Sequence, residues 1–430
     1  MRWIVAIAIA AGFVLVVPIT TGHARNLQRT LGRPVESQGG VAAGIVTALR
    51  PLGSVIGSQV ANQIPSLSTS AGFTYEFNPD LDVYERSTKT FGPLFSERAV
   101  TVGAHKFNAN VSYTYIKFDS INGHDLDHLT SRVLLANIGN QRAFAGGLRR
   151  PDLASQFPDL TPGTTFSQVK ADLDLEAQLV DFSFMYGVLD DLDVNIDIPV
   201  VRTFVRSAIT ERTLDPRFAV FLTPASRPDI FDDFAARGSA LGVGNIRLRS
   251  KYVAVTNPVR LAGLLDLVLP TGSPGNFQGT GDTRLGTFLI ASQTVGEIFE
   301  PHAQAGVEFN CANVDHSQAK YSAGVTTQVA SFAALTLDFL GRSEFAATTH
   351  VPSSARFPAS KDGQFTETVP PFHGEPILVS IHRNDILDLA VGGKFSITPQ
   401  AIFFATVILP LNDDGLRADF VPTVGLEATF

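Results

Sequence analysis

The last fifteen residues of the chain, 416–430, alternate between apolar and polar side chains. The apolar positions are Phe420, Pro422, Val424, Leu426, Ala428 and Phe430, and the polar ones include Arg417, Asp419, Thr423, Glu427 and Thr429. A period of two residues is typical of a β-strand with one apolar and one polar face. Such a strand fits between lipid and a polar barrel lumen, although the last strand of a soluble sandwich would show the same pattern.

The same alternation recurs along the chain and predicts eleven further strands. They cover residues 107–115, 172–186, 192–198, 245–254, 260–269, 283–294, 301–311, 319–329, 333–345, 384–397 and 400–410. Within 172–186 the apolar positions change from odd (Leu173 to Leu179) to even (Phe182 to Tyr186), which predicts a β-bulge near Val180. A soluble sandwich could not easily bury one face of so many long strands.

The connections between these segments alternate between short and generally longer ones. The short ones are 187–191, 256–258, 295–300, 330–332 and 398–399, and the longer ones are 121–168, 207–242, 271–282, 312–318, 346–383 and 411–416. Short periplasmic turns and longer outer loops are typical of outer-membrane barrels. We therefore predict an all-β fold, a transmembrane antiparallel up-and-down β-barrel of about twelve strands over residues 101–430.

The beginning of the chain has the features of a secretory signal peptide. Met1 and Arg2 precede an apolar stretch over 4–17, and residues 22–24 are Gly-His-Ala, so residues 1–24 are predicted to be removed. The alternative, a membrane anchor, would need roughly 20 apolar residues, and the stretch is shorter. Since no later segment is long and apolar enough for a spanning helix, a membrane location requires a barrel.

Residues 25–100 differ in kind from the strands that follow. Apolar residues at helical spacing over 41–64, interrupted by Pro51 and Gly53, predict a short kinked helix. Segments 73–78 and 81–87 are shorter than the roughly 9 to 11 residues of a membrane-spanning strand. Three interpretations stay open at this point: a plug in or beneath the barrel, a periplasmic arm, or two extra strands that would make fourteen.

Charged residues on the polar faces are the candidate lumen-lining residues. Arg247, Arg249 and Lys251 form a cationic row, and Asp193 and Asp197 lie on the strand before it, where they would face the row as charge pairs. The further lumen candidates are Arg260, Asp266, Arg284 and Glu308, together with Lys320, Asp338, Arg342 and Lys394. One hypothesis is a selective charged passage. We favour the other, a salt-bridged interior that stabilises the wall, because the two signs are balanced.

Composition and motifs argue against several other classes. The net charge of −8 does not suit a nucleic-acid partner. His124 to His128 contains metal-ligand types in a long loop, where a solvated patch is the more common explanation, so we predict no metal and no cofactor. A surface lipid hydrolase would need a serine and a histidine at the lipid-facing surface, but the outward rows are almost wholly apolar, so we predict no catalytic residues.

Several turn and strand motifs resemble a known barrel family. They are Tyr186-Gly-Val-Leu-Asp-Asp-Leu-Asp-Val194, Ile198-Pro-Val200, Gly242-Val-Gly-Asn-Ile-Arg-Leu-Arg-Ser-Lys-Tyr252, Leu269-Pro-Thr-Gly272 and Gly279-Thr-Gly-Asp282. Over roughly residues 100 to 430 the chain resembles the outer-membrane barrels assigned as transporters of the MetA pathway of phenol degradation. More distantly, it is similar to the barrels that admit long-chain fatty acids and aromatic hydrocarbons.

The resemblance implies an outer-membrane channel for small, hydrophobic or aromatic compounds that cross by passive diffusion. Phe430 resembles the terminal signal that the barrel-assembly machinery reads, so the expected partners are that machinery, outer-membrane lipid and a small-molecule solute, with the chain acting as a monomer. A structural or adhesion barrel that transports nothing is the alternative, and a lipid hydrolase a more distant one. Twelve strands enclose less space than the 16 to 18 of aqueous porins, which favours a constricted or plugged lumen.

Overall fold

A computed structural model of the chain describes residues 27–28, 56–57, 59–63, 65–78, 83–86, 90–136, 165–213, 231–296, 298–346 and 383–430. The predicted signal peptide, residues 1–24, lies outside the described residues, as does most of the predicted helix over 41–64. Residues 56–57 and 59–63 of that segment are described, and they are helical. No helix among the described residues is long and apolar enough to span a membrane.

Nineteen strands are present in the described part of the chain. They are β1 (Tyr75–Asn78), β2 (Val83–Arg86), β3 (Phe107–Phe118), β4 (Ser120–Ile121), β5 (His124–Asp125), β6 (Leu129–Ala136), β7 (Thr165–Leu189), β8 (Leu192–Thr213), β9 (Phe231–Val243), β10 (Arg247–Val255), β11 (Arg260–Val268), β12 (Arg284–Ser292), β13 (Phe299–Asn310), β14 (Gln318–Ala330), β15 (Ala333–Glu344), β16 (Asp385–Thr398), β17 (Ala401–Pro410), β18 (Leu416–Arg417) and β19 (Val421–Thr429). Single 3₁₀ turns lie at Leu126–His128, Pro274–Asn276 and Val314–His316.

Twelve of these strands close into a barrel. The ring runs β3, β19, β17, β16, β15, β14, β13, β12, β11, β10, β8, β7 and back to β3, and all neighbours are antiparallel. Strands that follow each other in the ring also follow each other along the chain, and the last one, β19, pairs with the first, β3. The predicted up-and-down barrel of twelve strands is therefore confirmed.

Two further strands extend the sheet beyond the ring. β6 pairs with the first residues of β7, and β9 pairs with the second half of β8. β7 and β8 have 25 and 22 residues, about twice the roughly 9 to 11 that a spanning strand needs, so this hairpin continues past the barrel wall. Among the described strands, β1 and β2 pair only with each other, so the alternative in which these two segments add strands to the barrel is wrong.

The predicted β-bulge near Val180 is also wrong. Val180 lies opposite Tyr113 on one side and Val200 on the other, with no shift in register. Odd-numbered residues of β7 face inwards from Leu173 to Met185, first apolar ones such as Leu179 and then polar ones such as Asp181. The even-numbered residues, which face outwards, change in the opposite sense, from polar to apolar. The reason is that the strand passes between water and an apolar surrounding while its backbone stays regular.

The outer surface of the barrel carries a wide belt of exposed apolar side chains. It includes Phe107, Tyr113, Phe184, Tyr186, Val194, Leu248, Tyr252, Leu265, Leu289, Phe309, Leu335, Leu337, Val391, Phe403, Val424 and Leu426. The inward positions of the same strands are mainly polar or charged. An arrangement with an apolar outside and a polar inside suits a barrel wall in contact with lipid.

Candidate functional site

Residues 65–74 and 90–104, which precede the first barrel strand, lie inside the barrel. Their apolar side chains form four small buried clusters with the wall. These are Leu67, Leu94 and Phe95 with Ala390, Phe404 and Ile408; Phe73 and Phe91 with Ala334 and Ile402; Ala99 with Val253, Ala262, Leu264, Phe288 and Ile290; and Ala71 and Val102 with Met185. We call residues 65–74 and 90–104 the inner segment. Its position brings it against strands from most of the ring.

Buried ion pairs fix the inner segment to the wall. The Arg98 guanidinium lies 2.9 Å from a Glu300 carboxylate oxygen, and both side chains are almost wholly buried. The Lys251 ammonium is 3.7 Å from the Glu97 carboxylate. The Val102 amide donates to the Asp193 carboxylate at 3.0 Å. Lys251 and Asp193, which the sequence predicts to line the lumen, thus face inwards but are covered by the inner segment.

A second anchor involves Glu427 of the last strand. Its carboxylate accepts hydrogen bonds from the Gly72 amide and from Asn108, the latter at 2.8 Å, and lies 3.6 Å from the Lys394 ammonium. Lys394 also donates to the Phe91 carbonyl at 3.0 Å. Apart from Glu427 and Lys394, the partners in this anchor are more than three hundred residues apart along the chain, so the alternation of the sequence could not have paired them.

Beside the inner segment, the charges of β8 and β10 to β14 form one ion-pair network. Its contacts are Arg249 with Asp197 at 3.0 Å and Asp266 at 3.7 Å, Arg247 with Asp266 and with Glu308 at 3.3 Å, Arg284 with Glu308 at 3.1 Å, and Lys320 with Glu308 at 2.5 Å. Arg249 also donates to the Leu67 carbonyl at 2.9 Å. The structure therefore brings together Arg247, Arg249, Asp197, Asp266, Arg284, Glu308 and Lys320 of the predicted residues.

Two further predicted charges, Arg260 and Asp338, also lie outside this network. Arg260 is opposite Ser292 near the turn that begins β11, and it makes no ion pair with any residue that the structure describes. Asp338 Oδ1 lies 2.6 Å from His302 Nε2, and both side chains are fully buried. The other ring nitrogen of His302 lies 3.0 Å from the Glu300 carbonyl oxygen. His302, Glu300 and Glu427 were not among the predicted lumen candidates, although their inward phase on alternating strands is a signal that could have identified them.

The pairing of Arg249 with Asp197 gives a measurable expectation. Register places Arg247 directly opposite Asp197, but the ion pair is made by Arg249 instead. In a double-mutant cycle with Arg249→Met and Asp197→Asn, we expect a coupling of roughly 1–3 kcal/mol in the free energy of unfolding, since the two charges are in buried contact.

The matched control is the cycle between Arg247→Met and Asp197→Asn, for which a smaller coupling is expected. A larger coupling in the control would show that the wall pairs follow strand register. Reversal potentials of the same variants in planar bilayers would show whether this network also selects ions.

A cavity of about 210 Å³ lies in the lumen between the inner segment and the wall. One side is apolar, with Phe95 of the inner segment, Ile116 of β3, Ile386 of β16 and Ile408 of β17. The other side carries the network through Arg247, Arg249, Asp266 and Lys320. Because β16 and β17 lie across the twelve-stranded ring from β10 and β11, these isoleucines of β16 and β17 face Arg247, Arg249 and Asp266 across the lumen.

The corner of this cavity holds three more charged side chains. Arg417 lies 2.5 Å from Asp388, and Arg342 donates to the backbone carbonyl of Asn62. A smaller cavity of about 90 Å³ adjoins the network and is lined by Asp181, Asp197, Arg247, Arg284 and Glu308, among others. Within the described ranges, no cluster of three or more His, Cys, Asp or Glu side chains could hold a metal ion.

Comparison with known proteins identifies structures of a similar kind but no family. No family model and no curated protein matches the chain. Among solved structures, an outer membrane channel from Pseudomonas putida F1 is 12% identical, with 77% of this chain and 98% of that chain covered and a TM-score of 0.41. The toluene transporter TodX from P. putida is 9% identical (75% and 88% covered, TM-score 0.31), and the outer membrane protease OmpT from Escherichia coli is 11% identical (76% and 97% covered, TM-score 0.27).

These similarities assign neither a family nor a solute, so the resemblance to the MetA-pathway family stays a prediction.

The location of the protein in the cell follows from the barrel itself. In lipid every backbone polar group must be paired, and a closed sheet pairs all of them. The closed ring and its apolar belt are those of the barrels that Gram-negative bacteria insert in their outer membrane. The protein lies in the bacterial outer membrane.

Proposed function

We propose that the protein is an outer-membrane channel through which small hydrophobic or aromatic compounds pass by passive diffusion. The observation that carries the proposal is the cavity of about 210 Å³ inside the closed barrel, with an apolar wall of Phe95, Ile116, Ile386 and Ile408. Ligand sites of this type combine a largely apolar surface with a few placed polar groups. A barrel that served only structure or adhesion would have no need of such a cavity.

The inner segment supports a channel for small compounds rather than a wide aqueous pore. It occupies the lumen beside Glu300, Lys394 and Glu427 and is held there by buried polar contacts. We propose that residues 25–100 serve as a plug and that residues 101–430 form the barrel. A plugged barrel of twelve strands leaves little room for hydrated solutes, in contrast to porins of 16 to 18 strands.

The ends of the barrel fit an assembly role for Phe430. The Phe430 carbonyl accepts from the Phe107 amide at 2.9 Å, and the Phe430 amide donates to the Phe107 carbonyl at 2.8 Å, which joins the last strand to the first. The Phe430 side chain is exposed on the outer face. We propose that it is read by the barrel-assembly machinery and that the chain works as a monomer, in contact with lipid and solute and without a cofactor or catalytic residues.

Filling the cavity should slow transport. Ser322 lines the cavity, and its hydroxyl makes no hydrogen bond with a described residue, so Ser322→Phe removes space without breaking a polar contact. We expect intact cells that produce this variant to accumulate a labelled aromatic hydrocarbon such as toluene several-fold more slowly than cells with the unchanged chain.

The matched control is Ala323→Phe, one residue further on the same strand, where the side chain is exposed on the outer face. This variant should transport normally, and both variants should be present in equal amounts as folded barrel. If cells with the unchanged chain take up the hydrocarbon no faster than cells without it, the structural or adhesion alternative is favoured.

A further inference from the structure

We propose that the lumen cavity binds small carboxylates that carry an apolar body, and that Arg342 binds the carboxylate group. The inference rests on the proposed function, because it concerns the same cavity, and it narrows the class of solute. It follows from the pairing of the charges that line the cavity, from the position of Arg342 and from the size and polarity of the space beside it.

Arg342 differs from every other charged residue that lines the cavity. Glu97 is within ion-pair distance of Lys251, the network pairs Arg247, Arg249, Asp266 and Lys320 with opposite charges, and Arg417 pairs with Asp388. No described carboxylate lies within ion-pair distance of Arg342, whose hydrogen bond goes to the neutral backbone carbonyl of Asn62. A guanidinium has five donors, so several remain for a ligand.

The charge balance at this corner suits an anion with a single charge. Arg342 and Arg417 contribute two positive charges, and Asp388, held by Arg417 at 2.5 Å, contributes one negative charge. One positive charge is left over. A planar guanidinium also matches the two oxygens of a carboxylate in a bidentate contact.

Apolar side chains neighbour Arg342 in the cavity wall. Ile386 is the cross-strand neighbour of Arg342, Leu340 precedes it on the same inward face, and both line the cavity together with Ile408 and Phe95. A ligand whose carboxylate contacts Arg342 would therefore place its body against an apolar wall. An apolar cavity of about 150 Å³ is known to accommodate benzene, so about 210 Å³ has room for a ring with one carboxylate.

The test measures binding of benzoate and of its neutral isostere benzamide to the full chain in lipid nanodiscs at neutral pH, by titration calorimetry. For the unchanged protein we expect benzoate to bind about tenfold more tightly than benzamide, the difference that one charge-assisted contact supplies. Arg342→Gln should remove that preference and leave benzamide binding unchanged. Arg342→Lys, which keeps the charge without the planar group, should restore part of it.

Arg383→Gln is the matched control, since Arg383 pairs with Asp385 at the exposed start of β16 and does not line the cavity. It should bind both ligands as the unchanged protein does. Equal affinity of the unchanged protein for benzoate and benzamide would overturn the proposal. So would an equal loss of both ligands in Arg342→Gln, which would show that Arg342 serves only to hold residue 62.

Failure of this inference can be distinguished from failure of the proposed function. If benzamide binds, toluene uptake depends on the cavity as expected for Ser322→Phe, and benzoate shows no preference, only the carboxylate assignment is wrong. If neither ligand binds and toluene uptake is no faster than in cells without the protein, both are wrong.

Discussion

Replacing Arg98 by methionine should destabilise the folded protein by about 3–5 kcal/mol, the cost of leaving a buried charge without its partner. The partner is Glu300, whose carboxylate lies 2.9 Å from the Arg98 guanidinium with the side chain 1% exposed. Arg98 also donates to the Ala71 carbonyl at 2.5 Å, so its loss affects two parts of the inner segment. Urea denaturation of the refolded barrel in lipid vesicles would measure the change.

Conductance in planar bilayers would show whether the loss of Arg98 releases the inner segment from the lumen. If the inner segment leaves the lumen while the barrel persists, Arg98→Met should conduct more than the unchanged protein. The double variant Arg98→Met with Glu300→Leu should recover much of the stability, because replacing both partners of a buried pair by apolar side chains is often nearly neutral.

A matched control for this pair is Arg383→Met, which removes one side of an exposed ion pair with Asp385. An exposed pair contributes only about 0–1 kcal/mol, so its loss should be small. A loss in Arg98→Met no larger than in Arg383→Met would contradict the view that buried charges anchor the inner segment.

The alternation of apolar and polar residues was sufficient to predict the ring of the barrel. Each predicted strand overlaps one of the twelve, because a strand between lipid and lumen shows its two faces directly in the sequence. β6 and β9 lay within segments predicted as long loops. Both strands extend the sheet outside the closed ring, where a lipid-facing side is no longer required and the alternation loses its contrast.

The change of phase at Val180 illustrates the limit of the same rule. A pattern of polarity reports what surrounds a strand as well as which way its side chains point. In β7 the inward residues change from apolar Leu179 to polar Asp181 while the register continues. The surroundings of both faces of the strand change at this point, and the resulting pattern looks like a shift in the backbone. Polarity alone cannot separate the two explanations, whereas strand pairing can.

The candidate site was predicted only in part, for a different reason. The sequence indicated which charges face the lumen, but arginine side chains are long enough to reach partners beyond the residue directly opposite, as Arg249 does with Asp197. The inner segment adds contacts such as Arg98 with Glu300, which are 202 residues apart and follow no periodic pattern. The unpaired state of Arg342 depends on all of these pairings and was therefore not predictable from the sequence.

Placing an arginine on the outer face of the last strand should also be costly, by an amount that depends on depth. Leu426 is exposed on the belt near the middle of β19, so Leu426→Arg should destabilise the barrel by roughly 2–4 kcal/mol. The same substitution at Phe420, just before the strand begins, should cost only about 0–1 kcal/mol, because charge near the interface reaches water. Urea unfolding in lipid vesicles, followed by heat-modifiable migration on gels, would measure both.

Glu427→Gln separates this lipid effect from an effect of the lumen. Alternation alone predicts a mild change, since Glu427 is on the polar face. The structure predicts a larger one, because the Glu427 carboxylate accepts from the Gly72 amide and lies 3.6 Å from Lys394, both beside the inner segment. Its loss should raise conductance through release of that segment, whereas Leu426→Arg should lower the yield of folded barrel without raising conductance per molecule. Equal losses of stability in Leu426→Arg and Phe420→Arg would mean that the outer belt does not span the lipid, since depth would then have no influence on the cost.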